Sequence, residues 1–337
     1  MIKKVAHPGY NYIFDSKTGN FVRWGDTYKD DPEYSPLGPE IADIEITTKC
    51  TGPGGKLCKF CYKGNTPQGD NMSFETFKEV FSKLPNNLTQ IAFGADANLT
   101  SNPDVWKMFD HCRLNDIIPN ITVADVDMET AEKLSISCGA VAVSRYKEKD
   151  LCYNSIERLT SFGMDQVNIH MMVSKETLEQ AFETIDDYHT DPRLKHMNAI
   201  VFLSLKPKNR GEKFNHCTEE DFKALAGYAL SRDTAIGFDS CSANKFIRAT
   251  GGSNSKFLAH AEPCESTCFS SYIDVHGKFF PCSFTPGLNG WDEGIDIASC
   301  TDFLQDVWYN KKTEQFRNGL CGNLDENGLR SCPLYEI

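Results

Sequence analysis

Short runs of β-branched and apolar residues alternate along this chain with segments whose apolar positions recur at helical spacing. The runs at 41–47, 90–94, 120–124, 140–144, 166–173 and 199–205 predict strands, and the segments at 73–83, 103–115, 128–137, 150–162, 175–188 and 218–231 predict helices. Several of these helices begin on a residue suited to cap them: Ser73 with Thr76 three positions on, Asp127 followed by Glu129, and Thr218 with Asp221 completing a capping box. Six strand–helix units in series imply an α/β protein with a parallel sheet and right-handed crossovers, either an open doubly wound sheet or an incomplete (β/α) barrel. In both, functional groups collect at the C-terminal ends of the strands.

The flanking regions differ in pattern. Residues 1–40 read as a hairpin extension, YNYIF and NFVRWG joined by DSKTG, and residues 41–235 carry the strand–helix series. Residues 236–337 are loop-rich and cysteine-bearing, with a hairpin at 271–282 (YIDV, a His-Gly turn, KFFPC) and an amphipathic helix at 299–318.

Composition narrows the function classes. The 337 residues carry a net charge of −12, which argues against a nucleic-acid footprint spread over the surface. The N-terminus lacks a signal-peptide apolar core, and no apolar run approaches the roughly 20 residues that span a bilayer, so a cytoplasmic protein without membrane contact is expected. Fourteen cysteines in a chain of this size, clustered near residue 55 and beyond residue 260, point to metal binding rather than to a disulfide scaffold. The Asn-x-Thr triplets at Asn87, Asn98 and Asn120 read as chance matches on that view.

Cys50, Cys58 and Cys61, in KCTGPGGKLCKFCYKG, follow the first strand of the series directly. They lie where a loop crosses the C-terminal edge of the sheet, and the glycines suit a tight path with backbone N–H groups turned toward sulfur. Three thiolates leave one iron of a four-iron cluster open to a small molecule, whereas structural zinc wants a fourth ligand brought from elsewhere. Both readings stand on the cysteines alone, as does a non-catalytic iron–sulfur or zinc protein used for electron transfer or scaffolding.

The same residues resemble the signature of the radical S-adenosylmethionine enzymes, C-x3-C-x2-C with an aromatic residue before the last cysteine. Phe60 holds the aromatic place and Cys58–Cys61 keep the second spacing, while the first spacing is widened to seven residues, TGPGGKL. Gly94-Ala95-Asp96 after the second strand resembles the Gly-Gly-Glu with which such enzymes hold the methionine amino group, Asp standing for Glu. The resemblance implies a partial (β/α)6 TIM-like barrel, a [4Fe–4S] cluster on Cys50, Cys58 and Cys61, and S-adenosylmethionine as cofactor. It implies further contacts to that cofactor from Ser144 and Arg145 after the fourth strand and from Asp125 after the third. His170, in VNIHMMV, reads as a core histidine.

The C-terminal segment resembles the auxiliary-cluster extensions called SPASM or, when shortened, twitch domains: Gly277-Lys-Phe-Phe-Pro-Cys282 matches G-x4-C, and VWYNKKTEQFRNG resembles the helix that precedes the later cysteines. The implied small iron–sulfur domain would hold a second, auxiliary [4Fe–4S] cluster on Cys264, Cys268, Cys282 and Cys332, with Cys321 as alternative fourth ligand and Cys300 as a weaker one. Zinc on the same cysteines is the competing reading. Cys112, Cys138, Cys152, Cys217 and Cys241 lack ligand spacing and read as ordinary thiols. The activity implied is reductive cleavage of S-adenosylmethionine to a 5′-deoxyadenosyl radical that abstracts hydrogen from a peptide or protein side chain. A sugar or nucleotide derivative is the alternative substrate, and a flavodoxin- or ferredoxin-like protein the electron donor. Sulfatase-maturing relatives have Asp after the G-x4-C cysteine, where this chain has Ser283.

Overall fold

The computed structural model describes residues 2–258 and 261–335. Strands β1 (Ile2–His7), β2 (Tyr10–Asp15) and β3 (Phe21–Trp24) form an antiparallel N-terminal sheet, one strand more than the expected hairpin. In β1 lysines punctuate the apolar positions and no residue is fully buried; the strand is held by its pairing with β2, by Val5 against the second core and by the Lys3 ammonium on the Leu88 carbonyl at 2.6 Å.

The alternating series follows as β4 (Ile41–Glu45), α1 (Phe74–Lys83), β5 (Gln90–Gly94), α2 (Val105–Leu114), β6 (Ile118–Val123), α3 (Met128–Ser137), β7 (Ala140–Ser144), α4 (Lys149–Ser161), β8 (Val167–Val173), α5 (Leu178–Thr190), β9 (Ala199–Ser204) and α6 (Glu219–Ser231). Every expected strand and helix of the series is present. Ser73 caps α1 through the Thr76 N–H, Asp127 caps α3 through the Thr130 N–H, and Thr218 and Asp221 form a reciprocal capping box on α6. A seventh parallel strand, β10 (Ile236–Phe238), extends the sheet beyond β9 and leads into α7 (Ala243–Ala249). At three residues it is too short to show a period in the sequence.

β4 to β10 stand in chain order, all parallel, as an open TIM-barrel-like α/β sheet. On the other side of β4 the sheet continues as β11 (Ser270–Ile273), β12 (Lys278–Phe280) and β13 (Ile295–Asp296), with β11 parallel to β4. The C-terminal hairpin therefore adds strands to the barrel sheet instead of forming a sheet of its own. Its turn is fastened by Asp274, whose carboxylate accepts the N–H groups of His276 and Lys278 at 3.0 and 2.9 Å. The continuous helix expected at 299–318 is broken into a π-helical turn (Leu304–Trp308) and α8 (Lys311–Cys321). Asp306 turns its carboxylate back onto the N–H groups of Thr301 and Asp302, and Asn310 caps a new start at Lys312, so the polar side chains divide what the apolar spacing joins.

Packing follows the strand alternation. Ile44, Ile91, Val141, Val143, Val167, Ile169, Ile200 and Phe202 are fully buried beneath the helices, together with Phe77, Phe109, Ile156 and Phe222 from the helices themselves. A second core joins Tyr10, Tyr12 and Phe14 of the N-terminal sheet to Cys268, Phe269 and Leu320 of the C-terminal segment. Trp308 locks these regions together: its ring is wholly buried and its indole N–H donates to the Ser35 carbonyl at 2.8 Å. Trp308→Ala is expected to lower unfolding free energy by about 3–5 kcal/mol, measured by urea denaturation followed by circular dichroism.

Candidate active site at the barrel mouth

The opposite faces of the same strands build a cavity. Asp43, Ala92, Asn120, Thr122, Ala140, Ala142, Asn168 and His170 point inward, and because these side chains are small or polar the interior is left hollow, with a volume of about 690 Å³. The cavity reaches the C-terminal strand ends, where it is bounded by Cys50, Cys58, Phe60, Cys61, Gly94, Ala95, Asp96, Ser144 and Arg145. Of the sequence-predicted groups of the barrel, Asp125 alone falls outside this lining: its backbone N–H pairs with Ala97 beside the strand end.

The cysteine loop follows β4 because its backbone is held at both ends. Cys50 N–H donates to Thr66 carbonyl at 2.9 Å, and Arg210, from a short 3₁₀ turn after β9, donates to the carbonyls of Cys58 and Asn65 at 2.9 and 3.1 Å. The Gly52 N–H donates to the Cys50 sulfur at 3.3 Å, the sulfur-directed amide that the glycine-rich text suggests. Gly52 has φ 79°, and a Cβ there would meet the Lys56 carbonyl oxygen at 1.9 Å, so only glycine closes this turn. Phe60 stacks on Tyr146 at 5.6 Å between centroids and meets Phe214 edge-on at 5.8 Å. The Tyr146 hydroxyl is hydrogen-bonded to the Cys58 thiol, and burial raises that thiol above its ordinary range.

Lys63, two residues past Cys61, fastens the loop to the barrel. Its ammonium lies 3.1 Å from the Glu45 carboxylate at the end of β4 and 2.6 Å from the Tyr272 hydroxyl of β11, which itself donates to Glu45 at 2.7 Å. Burial and the Glu45 charge together push the Tyr272 phenol far above its usual range, so it stays a donor. Beside it the Tyr62 hydroxyl donates to Ser283 at 3.1 Å.

Two predicted cofactor groups carry different local roles. Asp96 is buried and accepts the N–H groups of Thr100 and Ser101, both at 3.1 Å, as an N-terminal cap would, while still lining the cavity. Arg145 is 3 % exposed, and one nitrogen meets Glu183 at 2.9 Å. Its guanidinium lies against Tyr153 of α4 and Glu183 of α5, on the helix side of β7, with Nε and Nη1 buried without a partner. His170 faces the cavity, not the helix layer; burial lowers its pKa to about 4, so its ring is neutral, and Nδ1 lies 3.4 Å from Thr122 Oγ1.

The C-terminal cysteines come together through Cys264. It lies within electrostatic reach of Cys282 and Cys332 and of Cys268, whose sulfur is 3.7 Å from that of Cys321. Cys241, just past β10, interacts with Cys264 and Cys282 and joins this group, although nothing in its sequence spacing marks it. Cys300 stands apart, its carbonyl accepting from Lys83 at 2.9 Å. Among the described residues no three His, Cys, Asp or Glu side chains converge tightly enough to grip a single metal ion.

Comparison with solved structures finds the same fold in SuiB of Streptococcus suis, solved bound to S-adenosylmethionine: TM-score 0.65, 16% identity, covering 85% of this chain and 69% of that one. At that identity the likeness establishes the fold alone. BtrN in complex with AdoMet and 2-DOIA (TM-score 0.26, 11% identity, 86% and 88% covered) and the HpcH/HpaI aldolase of Desulfitobacterium hafniense (0.34, 8%, 70% and 87%) superpose too loosely to bear on the site. No family model and no curated protein matches the chain. No helix among the described residues is long and apolar enough to cross a membrane.

Replacing Gly52 by alanine is expected to open the cysteine loop without touching the core. Iodoacetamide labelling of Cys50, Cys58 and Cys61, followed by mass spectrometry, rises severalfold in Gly52→Ala and stays near wild type in Gly227→Ala, on α6, where a Cβ meets nothing within 4 Å and the backbone is not left-handed; equal rates in the two variants would contradict this account.

Proposed function

We propose that the protein is a radical S-adenosylmethionine enzyme, with Cys50, Cys58 and Cys61 holding a [4Fe–4S] cluster and the cavity above the strand ends holding S-adenosylmethionine. The observation that carries this reading is the convergence on one cavity of three cysteines, Phe60 and Gly94-Ala95-Asp96 at the C-terminal strand ends. Such a cluster, when bound, supplies the electron that cleaves the cofactor to a 5′-deoxyadenosyl radical, which removes hydrogen from substrate.

The chain's own groups perform the positioning. The exposed backbone of Gly94 and the Asp96 carboxylate, which lines the cavity, accept the cofactor's ammonium. The Gly52 N–H supports the charge on Cys50. Phe60, Tyr146 and Phe214 pack on one another beside Cys58 and add apolar surface next to the cysteine loop. His170, neutral at physiological pH, adds no competing cation to the interior. A peptide or protein side chain is the substrate favoured for this cavity, whose wall includes Tyr272, Ser283 and Phe284 from the C-terminal segment. A second cluster on Cys264, Cys268, Cys282 and Cys332, with Cys321 as alternative ligand, is supported by the electrostatic coupling of Cys264 to Cys282, Cys332 and Cys268 and by the 3.7 Å approach of Cys268 to Cys321.

The protein reconstituted anaerobically with iron and sulfide, then given dithionite and S-adenosylmethionine, is expected to form 5′-deoxyadenosine, read by chromatography. Cys58→Ala abolishes it. Wild-type protein that forms no more deoxyadenosine than Cys58→Ala would refute the reading. Iron near about eight per chain supports the second cluster, and zinc in its place refutes it.

A further inference from the structure

Every charged group on the cavity wall but one has a hydrogen-bond or ion-pair partner. Glu45 is held by Lys63 and Tyr272, Asp239 by Lys206 at 3.1 Å, and Asp96 by the N–H groups of Thr100 and Ser101. Arg210 is spent on two loop carbonyls, and Arg145 is paired with Glu183. The exception among the described residues is Asp43, which has neither a hydrogen-bond nor an ion-pair partner.

Asp43 sits in the middle of β4, one inward position below Glu45, so its carboxylate faces the hollow and not the helix layer. In register it stands between Tyr272 on β11 and Ala92 on β5, and Asn120 lies beyond Ala92. Tyr272 donates to Glu45, Tyr62, which feels the Asp43 charge, donates to Ser283, and the Asn120 amide donates to Gln90 while its oxygen accepts the Ala140 N–H, so these polar neighbours are committed away from Asp43. Ala92, its neighbour on β5, leaves open volume beside it. Burial without compensation lifts the Asp43 carboxyl to about 6. A desolvated carboxylate with space in front of it is an unmet demand for a cation, and the nearby cations of the wall are taken.

We propose that Asp43 anchors a protonated amine of the substrate, so that the substrates of this barrel carry an alkylammonium group that enters the cavity head first. The chemistry is shared by a lysine side chain and by a small amine. The proposal rests on the cavity being the substrate site of the preceding section, and it names the chemical class that site takes.

The test is binding, read by saturation-transfer NMR and calorimetry on the anaerobically reconstituted protein with S-adenosylmethionine and without reductant. The probes are n-butylammonium, Nα-acetyl-lysine N-methylamide, and the neutral n-butanol and Nα-acetyl-norleucine N-methylamide. Ammonium probes are expected to bind about tenfold or more tightly than their neutral counterparts. Asp43→Asn removes that preference, Asp43→Glu keeps part of it, and Asp31→Asn, an exposed carboxylate elsewhere, leaves it intact. A stronger lysine probe than butylammonium assigns the amine to a peptide, equal affinities assign it to a small molecule, and either supports the anchor. Equal binding of charged and neutral probes to wild type, or an unchanged preference in Asp43→Asn, overturns it. Thermal melts keep the variant interpretable: Asp43→Asn is expected to melt no lower than wild type, and a lower melting temperature would make the carboxylate structural and overturn the proposal. If deoxyadenosine never forms while ammonium binding through Asp43 persists, the enzyme reading fails and the anchor stands.

Discussion

The Glu45–Lys63–Tyr272 contact holds the functional end of this molecule together. It joins the end of the first barrel strand, the residue two past Cys61, and the strand that returns from the C-terminal segment. Glu45 is 5 % exposed, so its charge is tolerable only while both partners remain. Losing one partner of a buried pair leaves an uncompensated charge that costs about 3–5 kcal/mol. The triad couples three segments distant in sequence, and neither the cysteine loop nor the C-terminal hairpin can shift without breaking it. The parallel pairing of β11 with β4 supplies the backbone half of the same coupling.

A hollow interior follows from where the apolar residues went. In a closed barrel the inward side chains fill the centre in layers. Here the large β-branched and aromatic side chains of β4 to β9 are mostly on the outer face, under the helices, and the inner face carries Ala92, Asn120, Ala140, Ala142 and Asn168. Stability comes from the helix–sheet layer, which leaves the inner face free to be polar. Extension of the sheet by β11 to β13 covers the edge of β4 that an open barrel would otherwise expose.

The strand–helix series was legible because each element carried its own period and several carried caps. What the chain hid has local causes. β10 is too short for a period, and β1 interleaves lysine with apolar residues in a strand that buries no residue fully. The break before α8 depends on Asp306 and Asn310 choosing backbone partners, which apolar spacing does not report. Within the site, the cysteine loop and Gly94-Ala95-Asp96 were readable as local text, as was Arg145 by its place after a strand. Cys241 was not, since its neighbours are brought to it by the fold. The face of His170 was left open, because a lone histidine in an apolar strand does not say which side it occupies; the alternation of buried and half-buried positions along β8 decides it. Asp43 was invisible for the converse reason. What sets it apart is a partner it lacks, and a lack appears only once every neighbour is known.

An unpaired carboxylate in that position has a thermodynamic signature. Its folded pKa, about 6, lies above the unfolded value of 3.8. The folded state therefore holds its proton more tightly, and that stability is present at low pH and lost as pH rises through about 6. At neutral pH the ion is a standing cost to the fold, unlike Glu45, whose two partners offset its burial. A cation that enters the cavity meets a carboxylate already stripped of water and fixed on a strand, so the desolvation that binding would otherwise demand has been met during folding. The same burial that destabilises the empty barrel thus favours a charged occupant over a neutral one of equal shape.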